Sequence, residues 1–270
     1  MSSFPGMRTP VAFRRAIARA TPAVPEDLWL FVRSLRSLRG SGPVIGCPAF
    51  QRVLVLCPHP DDESLGCAGT IATLADGGAE VTVLTATDGE ATKGARVAPA
   101  ETARRRRSEG DRAAAILGAT PRHLGLPDGQ LAERQDELRD ALRSVISELA
   151  PEAVFAPWLL DGHPDHRALA ATLATVLIEA ENDDELQIWG YETWTPLLPN
   201  RVVDITSVIE RKRAALQAHE TAALAFDLSA GEGLSRWRTM PSLRGRGWAE
   251  AFLAMSVRQY RELAAELQAR

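Results

Sequence analysis

The chain has 270 residues, 45% hydrophobic and 24% charged, with a formal net charge of −4, a balance expected of a soluble globular protein with a full core. It argues against a broad nucleic-acid surface, which would show as a basic excess, and no run reaches the ~18 apolar residues of a membrane span. Three cysteines without a CxxC pair (Cys47, Cys57 and Cys67) give neither a disulfide framework nor a zinc knuckle; they are read as small buried residues in a reducing, cytoplasmic compartment.

Residues 1–50 are expected to form a partly helical N-terminal extension without the apolar core of a secretory signal. Arg8, Arg14, Arg15 and Arg19 precede Leu28-Trp29-Leu30-Phe31-Val32, which Arg33 and Arg36 flank. The pattern is read as a helix packed on the domain, with a basic amphipathic contact to a membrane surface or partner as the alternative.

Over residues 51–270 strands and helices alternate, as a Rossmann-like, doubly wound, mostly parallel α/β sheet flanked by helices requires. The apolar run Val53–Cys57 predicts a buried strand and Ser64–Ala75 a helix stopped by Asp76-Gly77-Gly78. A strand follows over Glu80–Ala86, a charged helix over Pro99–Leu117 ending at Gly118, a short strand over Arg122–Leu126, and the turn Pro127-Asp128-Gly129. Then come a helix over Glu133–Leu149, a strand over Ala153–Ala156, a helix over Asp165–Ala180, strands over Leu186–Tyr191 and Arg201–Ile205, and a helix over Ser207–Ala223. Asp227–Gly247, rich in Gly, Ser and Arg, is expected to be a loop or lid, and Trp248–Gln268 a final helix.

Three of these strands run into polar clusters. The first strand stops at Pro58 and is followed by His59-Pro60-Asp61-Asp62-Glu63, the second by Asp88-Gly89-Glu90, and Ala153–Ala156 by Asp161-Gly162-His163-Pro164-Asp165-His166. Parallel strands would put all three clusters on the carboxyl edge of the sheet, where open α/β folds bind ligands. Three of the chain's five histidines fall in two of these short motifs. His59, Asp62 and His166 make a two-histidine, one-carboxylate set, the pattern of a catalytic zinc with one position open; ferrous iron, cobalt and manganese also suit mixed N/O ligands.

Pro58-His-Pro-Asp-Asp-Glu63 together with His163-Pro-Asp-His166 resembles the LmbE-like, or N-acetylglucosaminyl-phosphatidylinositol de-N-acetylase (PIG-L), family of metal-dependent deacetylases. The likeness runs from about Arg52 to His219 and takes in Asp88-Gly89-Glu90, Arg106-x-x-Glu109 and Leu126-Pro127-Asp128-Gly129. The resemblance implies that His59, Asp62 and His166 hold the metal, Zn2+ or alternatively Fe2+. It implies that Asp61 is the general base on the attacking water and that His163 stabilises the oxyanion or protonates the leaving amine. Asp165 would orient a histidine from behind the ligands, Glu63 would be a helix-start carboxylate or a similar support, and Arg106, Asp128 and Asp88 would reach the substrate. His219 near the pocket and stacking by Trp189, Tyr191 and Trp194 are further expectations, each with a core role as its alternative. Asp161 stands where the mycothiol branch of the family carries a Tyr, which argues against a mycothiol-type substrate.

The expected function is hydrolysis of the acetamide of an N-acetylglucosamine-containing small molecule or glycoconjugate. The partner is then an amino-sugar substrate and no nucleic acid; an oligomer is left open. An amidase on another N-acyl or thiol-conjugate substrate is the nearest alternative. A metal phosphoesterase and a non-catalytic binding protein on the same fold are more distant.

Overall fold

The computed structural model describes residues 44–179 and 185–268; the arginine-rich segment and its helix or membrane readings lie outside them. The strands are β1 (Val44–Ile45), β2 (Arg52–Cys57), β3 (Glu80–Thr87), β4 (Thr120–Leu126), β5 (Ala153–Pro157), β6 (Gln187–Tyr191), β7 (Arg201–Asp204) and β8 (Ala249–Ser256). They form one sheet in the order β1-β7-β8-β6-β5-β2-β3-β4. Every pairing is parallel except those of β8, which runs antiparallel to both β6 and β7. The helices are α1 (Asp62–Gly66), α2 (Ala68–Asp76), α3 (Pro99–Leu117), α4 (Gln135–Leu149), α5 (Pro164–Glu179), α6 (Ile209–Ala218), α7 (Ser229–Trp237), α8 (Thr239–Ser242) and α9 (Val257–Gln268).

The two faces can be read along β2. Alternate side chains of a strand point to opposite faces, so Leu54 and Leu56 join Leu138, Leu142, Leu169, Leu173 and Tyr260 in one apolar cluster. Val53, Val55 and Cys57 join Ile71, Leu117, Ile209 and Phe252 in the other. A strand covered on both sides must be apolar throughout, which is why Val53–Cys57 reads as an unbroken run. Because β2 pairs with both β3 and β5, successive crossovers leave it in opposite directions. A crevice therefore opens at the carboxyl ends of β2 and β5, the switch point of the topology.

The structure departs from the sequence expectation at four places. The helix expected over Ser64–Ala75 is two helices, broken at Cys67 (φ −147°, ψ 17°). The break exposes backbone groups that two buried side chains from elsewhere take up. Glu250 accepts the Gly69 and Thr70 amides at 3.0 and 2.7 Å, while the Lys212 ammonium donates to the Leu65 carbonyl at 2.8 Å and to Glu250 at 2.7 Å. Close packing fixes the same corner: a Cβ on Gly66 would lie 2.4 Å from the Tyr191 ring, and one on Gly69 2.6 Å from Ile205.

The second departure is Ala249–Ser256, a strand rather than the start of the last helix. Its Ala, Glu, Leu and Met favour helices on their own, but pairing on both edges with β6 and β7 overrides that preference. The helix begins only at Val257, where Ser256 and Gln259 exchange side-chain-to-backbone hydrogen bonds of 3.2 and 3.0 Å in the manner of a capping box.

Third, Asp227–Gly247 is largely helical (α7 and α8) rather than a loop, held to the domain by a buried Arg238–Glu192 ion pair. Fourth, Val44–Ile45, assigned from sequence to the extension, adds an edge strand to β7. Cys57 and Cys67 are buried as expected, and Cys47 only half so. No helix among the described residues is long and apolar enough to cross a membrane.

Removing one partner of a buried, hydrogen-bonded ion pair typically costs about 3–5 kcal/mol. We expect Glu250→Ala to lower the unfolding free energy by that amount in a urea titration, with Lys212→Met added to it restoring part of the loss. A Glu250→Ala midpoint close to that of the parent chain would show that the pair is not what holds the helix break.

Candidate active site

The prolines that end β2 also shape the turn into α1. Pro58 stops the strand, and Asp61 takes φ 145°, a left-handed region that non-glycine residues adopt only when their surroundings impose it. Here the Asp61 amide donates to Glu63 Oε2 at 3.2 Å, and its carbonyl accepts the amides of Ser64 and Leu65 at 3.0 and 2.9 Å. The Arg106 guanidinium from α3 reaches the Asp61 carboxylate at 3.0 Å and also donates to the Pro60 carbonyl. Asp61 and Asp62 are consecutive but thereby face different partners.

Across the crevice, Pro164 opens α5, so that His163 precedes the helix and His166 lies in its first turn. His59, His163 and His166 each offer a ring nitrogen, all within 4.8 Å of one another. Asp62 lies between two of them: its Oδ2 is 3.3 Å from His59 Nδ1, and its Oδ1 is 3.3 Å from His166 Nε2. The outer nitrogens are held by other carboxylates. His59 Nε2 is 3.1 Å from Asp128 and 3.2 Å from Asp165. His166 Nδ1 is 3.2 Å from Asp161 and 3.1 Å from the Thr193 hydroxyl.

This is the arrangement in which histidine binds a cation, the outer nitrogen fixed by an acceptor and the inner one left with its lone pair. His166 Nε2 is buried and has no hydrogen-bond partner, a deficiency that a metal ion would remove. The donor atoms of His59, His163 and His166 thus lie as a divalent ion would need them, and Asp62 lies against two of the three. A second set, His59, Asp128 and Asp165, also brings donor atoms within 4.8 Å. In that set, however, Asp165 already accepts the Gly129 and Leu131 amides at 2.8 and 3.2 Å, so it supports His59.

The charges are mutually arranged. Burial would raise the Asp62 carboxyl, but His166 and His59 outweigh it and hold it well below the usual carboxylate range. Burial opposes a charge on His166, yet Asp62 and Asp161 lift it to about 9. His163 is pushed below its ordinary value by burial and by its two histidine neighbours. Burial pushes the Asp61 carboxyl up to about 6 in spite of Arg106, near where a general base works best at neutral pH.

Other residues singled out from sequence sit further back. Glu63 accepts from Ser64 at 2.7 Å and lies 3.0 Å from the buried His219; together they back the Asp61 turn. Asp88 accepts the Glu90 amide at 3.2 Å, and Glu90 in turn accepts the Asp128 amide at 3.0 Å. The Asp-Gly turn thus props the Pro127-Asp128-Gly129 turn, and only Asp128 touches the histidines. Arg106, expected at the substrate, is buried against Asp61, Pro60 and Thr92. Trp189 and Tyr191 are fully buried core, whereas Trp194 is exposed with its ring 5.9 Å from that of His163.

Asp161 has a place in the site that reading the sequence did not assign it. Besides facing His166 it accepts the His163 amide at 3.0 Å, the Thr193 hydroxyl at 3.1 Å and the Trp194 amide at 3.2 Å. The signal was present in Asp-Gly-His-Pro: an Asp two residues before a helix entry bonds the backbone ahead of it.

Fold and site define a class, the doubly wound α/β proteins with a histidine–carboxylate centre at the carboxyl edge of the sheet. Within it the chain belongs to the PIG-L family (GlcNAc-PI de-N-acetylase), whose family model matches residues 54–177. It is 35% identical over 189 residues to the diacetylchitobiose deacetylase of Thermococcus kodakarensis, spanning 63% of this chain and 70% of the relative. To the probable N-acetyl-alpha-D-glucosaminyl L-malate deacetylase 2 of Bacillus subtilis it is 31% identical, over 63% of this chain and 83% of that one. The structure of N,N'-diacetylchitobiose deacetylase from Pyrococcus horikoshii superposes with a TM-score of 0.67 at 24% identity, covering 95% of this chain and 97% of that one, and so shares the fold.

Loss of a group that orients a metal-binding histidine typically costs about 10–100-fold in metal affinity. Asp161→Ala should weaken zinc binding by that factor in competition with a chromophoric chelator, and His166→Ala should lose the ion outright. Unchanged affinity in Asp161→Ala would rule out its role behind His166.

Proposed function

We propose that this protein removes the N-acetyl group from an N-acetylglucosamine-containing small molecule or glycoconjugate, with His59, Asp62 and His166 holding a divalent ion, zinc in the first instance. One observation carries the reading: a buried His59–Asp62–His166 cluster has a second carboxylate, Asp61, beside it that pairs with Arg106 and with neither imidazole of the cluster. A family of de-N-acetylases is the setting. The ion, when bound, supplies Lewis acidity that lowers the pKa of water to about 7 and polarises the acetyl carbonyl.

The rest is work for the side chains. Asp61, held by Arg106 and raised by burial, takes the proton of the attacking water. Its neighbour Asp62 stays ionised between two imidazoles. His163, half-buried and positioned by the Asp161 contact to its backbone, donates its N–H to the developing oxyanion, and the proton that Asp61 took from water passes to the departing amine. Asp128 and Asp165 keep the His59 ring in its plane and its outer nitrogen protonated.

The test is acetate release from a panel of N-acetylglucosaminides by chelator-treated protein, with and without added zinc or ferrous iron. Metal-restored release is expected. Tight metal binding with no release from any glycoside would remove the amino-sugar reading. In the same assay Asp61→Asn should retain zinc and lose turnover. An oxyanion donor is worth about 100–1,000-fold in kcat, and His163→Ala should fall by that much with its metal content unchanged. Near-parental turnover in either variant would withdraw that residue's role.

A further inference from the structure

We propose that Trp194, backed by Phe226 on a loop that also exposes Leu224, forms a subsite for an apolar group. The substrate would then be an N-acetylglucosaminide bearing an alkyl or aryl aglycone rather than a second hydrophilic unit. The proposal rests on the deacetylase reading and narrows its substrate.

Trp194 is 56% exposed although its ring stands 5.9 Å from His163 and 5.7 Å from Phe226. Phe226 in turn packs on the cluster of Leu216, Ala222 and Leu228. Leu224 is 61% exposed, and its carbonyl meets Gly94 so closely that a Cβ there would lie 2.8 Å from it. The loop that follows β3, with exposed Val97, thus reaches the loop that carries Leu224 and Phe226.

The backbone that carries the indole is firmly placed. Asp161 accepts its amide at 3.2 Å, and Trp158 donates to the next carbonyl, that of Thr195, at 2.8 Å. Glu192, buried and paired with Arg238, accepts the Leu197 amide at 2.9 Å. An indole carried on so fixed a backbone yet left more than half in water puts apolar surface beside the site, and such surface marks what a site binds.

The neighbours decide the chemistry. A tryptophan that receives a second sugar is usefully joined by polar groups for its hydroxyls. Here the adjacent polar groups, the Thr193 hydroxyl and the Asp161 carboxylate, are turned inward to His166. Besides His163, the ring that meets Trp194 is that of Phe226, on the loop that also exposes Leu224.

The experiment compares acetate release from methyl and hexyl β-glycosides of N-acetylglucosamine and from diacetylchitobiose by the zinc-loaded full chain. We expect kcat/KM for the hexyl glycoside to exceed that for the methyl glycoside by at least about tenfold, since each buried methylene adds to binding. Trp194→Ala should bring the ratio near one, Trp194→Phe should keep most of it, and Leu224→Ser should lower it. Leu224→Ser serves as the independent probe if Trp194→Ala fails to fold by circular dichroism.

Calorimetry with hexyl glucosaminide, the deacetylated product, needs no turnover. Binding about tenfold weaker in Trp194→Ala supports the subsite even if no glycoside is hydrolysed, in which case the deacetylase reading alone falls. Hydrolysis of the methyl glycoside with a hexyl-to-methyl ratio of one, or equal calorimetric affinity in both proteins, overturns the subsite and leaves the deacetylase reading standing. So would sedimentation showing a dimer that Trp194→Ala dissolves, because a second copy would then cover the indole.

Discussion

The break between α1 and α2 is the constraint on which the site depends. A continuous helix from Asp62 to Asp76 would be the easier structure for this sequence to form. It is interrupted at Cys67, and Lys212 and Glu250, both buried, satisfy the groups the interruption frees. The pair is costly to desolvate, yet the contacts described for it go to backbone, to the Thr70 hydroxyl or to its own partner. It also ties three elements distant in sequence (α1–α2, α6 and β8) at the one place where the chain turns out of β2 into the polar cluster.

How much of this could be read beforehand depends on where each signal resides. The alternation of apolar runs with helical stretches is local, so the α/β class and the central strands β2, β3 and β5 were legible. So was the clustering of His59, Asp62 and His166, because two short motifs at the carboxyl ends of two strands carry it. What escaped is non-local. Nothing in Ala249–Ser256 announces a strand until β6 and β7 flank it, and nothing in Leu65–Gly69 announces a break until Glu250 arrives 181 residues away in sequence from Gly69. Arg106 illustrates the same limit. A buried arginine in a run of four reads as a hand for the substrate, but the fold brings Asp61 and the Pro60 carbonyl within its reach first.

The site itself is a balance of like with unlike. Seven ionisable groups (His59, Asp61, Asp62, Asp128, Asp161, Asp165 and His166) occupy one crevice, and each carboxylate among them faces an imidazole or a guanidinium. Such a cluster survives in a folded protein only if it is fully connected, since an unpaired buried charge costs far more than a missing hydrogen bond. The residual imbalance is local: His166 Nε2, without a hydrogen-bond partner. Among the imidazole nitrogens of this cluster it is the one left without a partner, a place that a cation would fill.

Strain at Asp61 gives the two neighbouring carboxylates their separate partners. A non-glycine residue at φ 145° costs on the order of 1–3 kcal/mol, and an Asp-Asp pair in ordinary helical geometry would avoid it. In a regular turn, however, successive side chains diverge by a fixed angle, and two neighbouring carboxylates could not flank one small centre in different roles. The twist at Asp61 allows Asp62 to lie between the imidazoles while Asp61 turns to Arg106. The Glu63 acceptor and the two amides on the Asp61 carbonyl hold the twist in place. Strain imposed at a single backbone position is thus what turns one of two adjacent aspartates to the imidazoles and the other to a guanidinium.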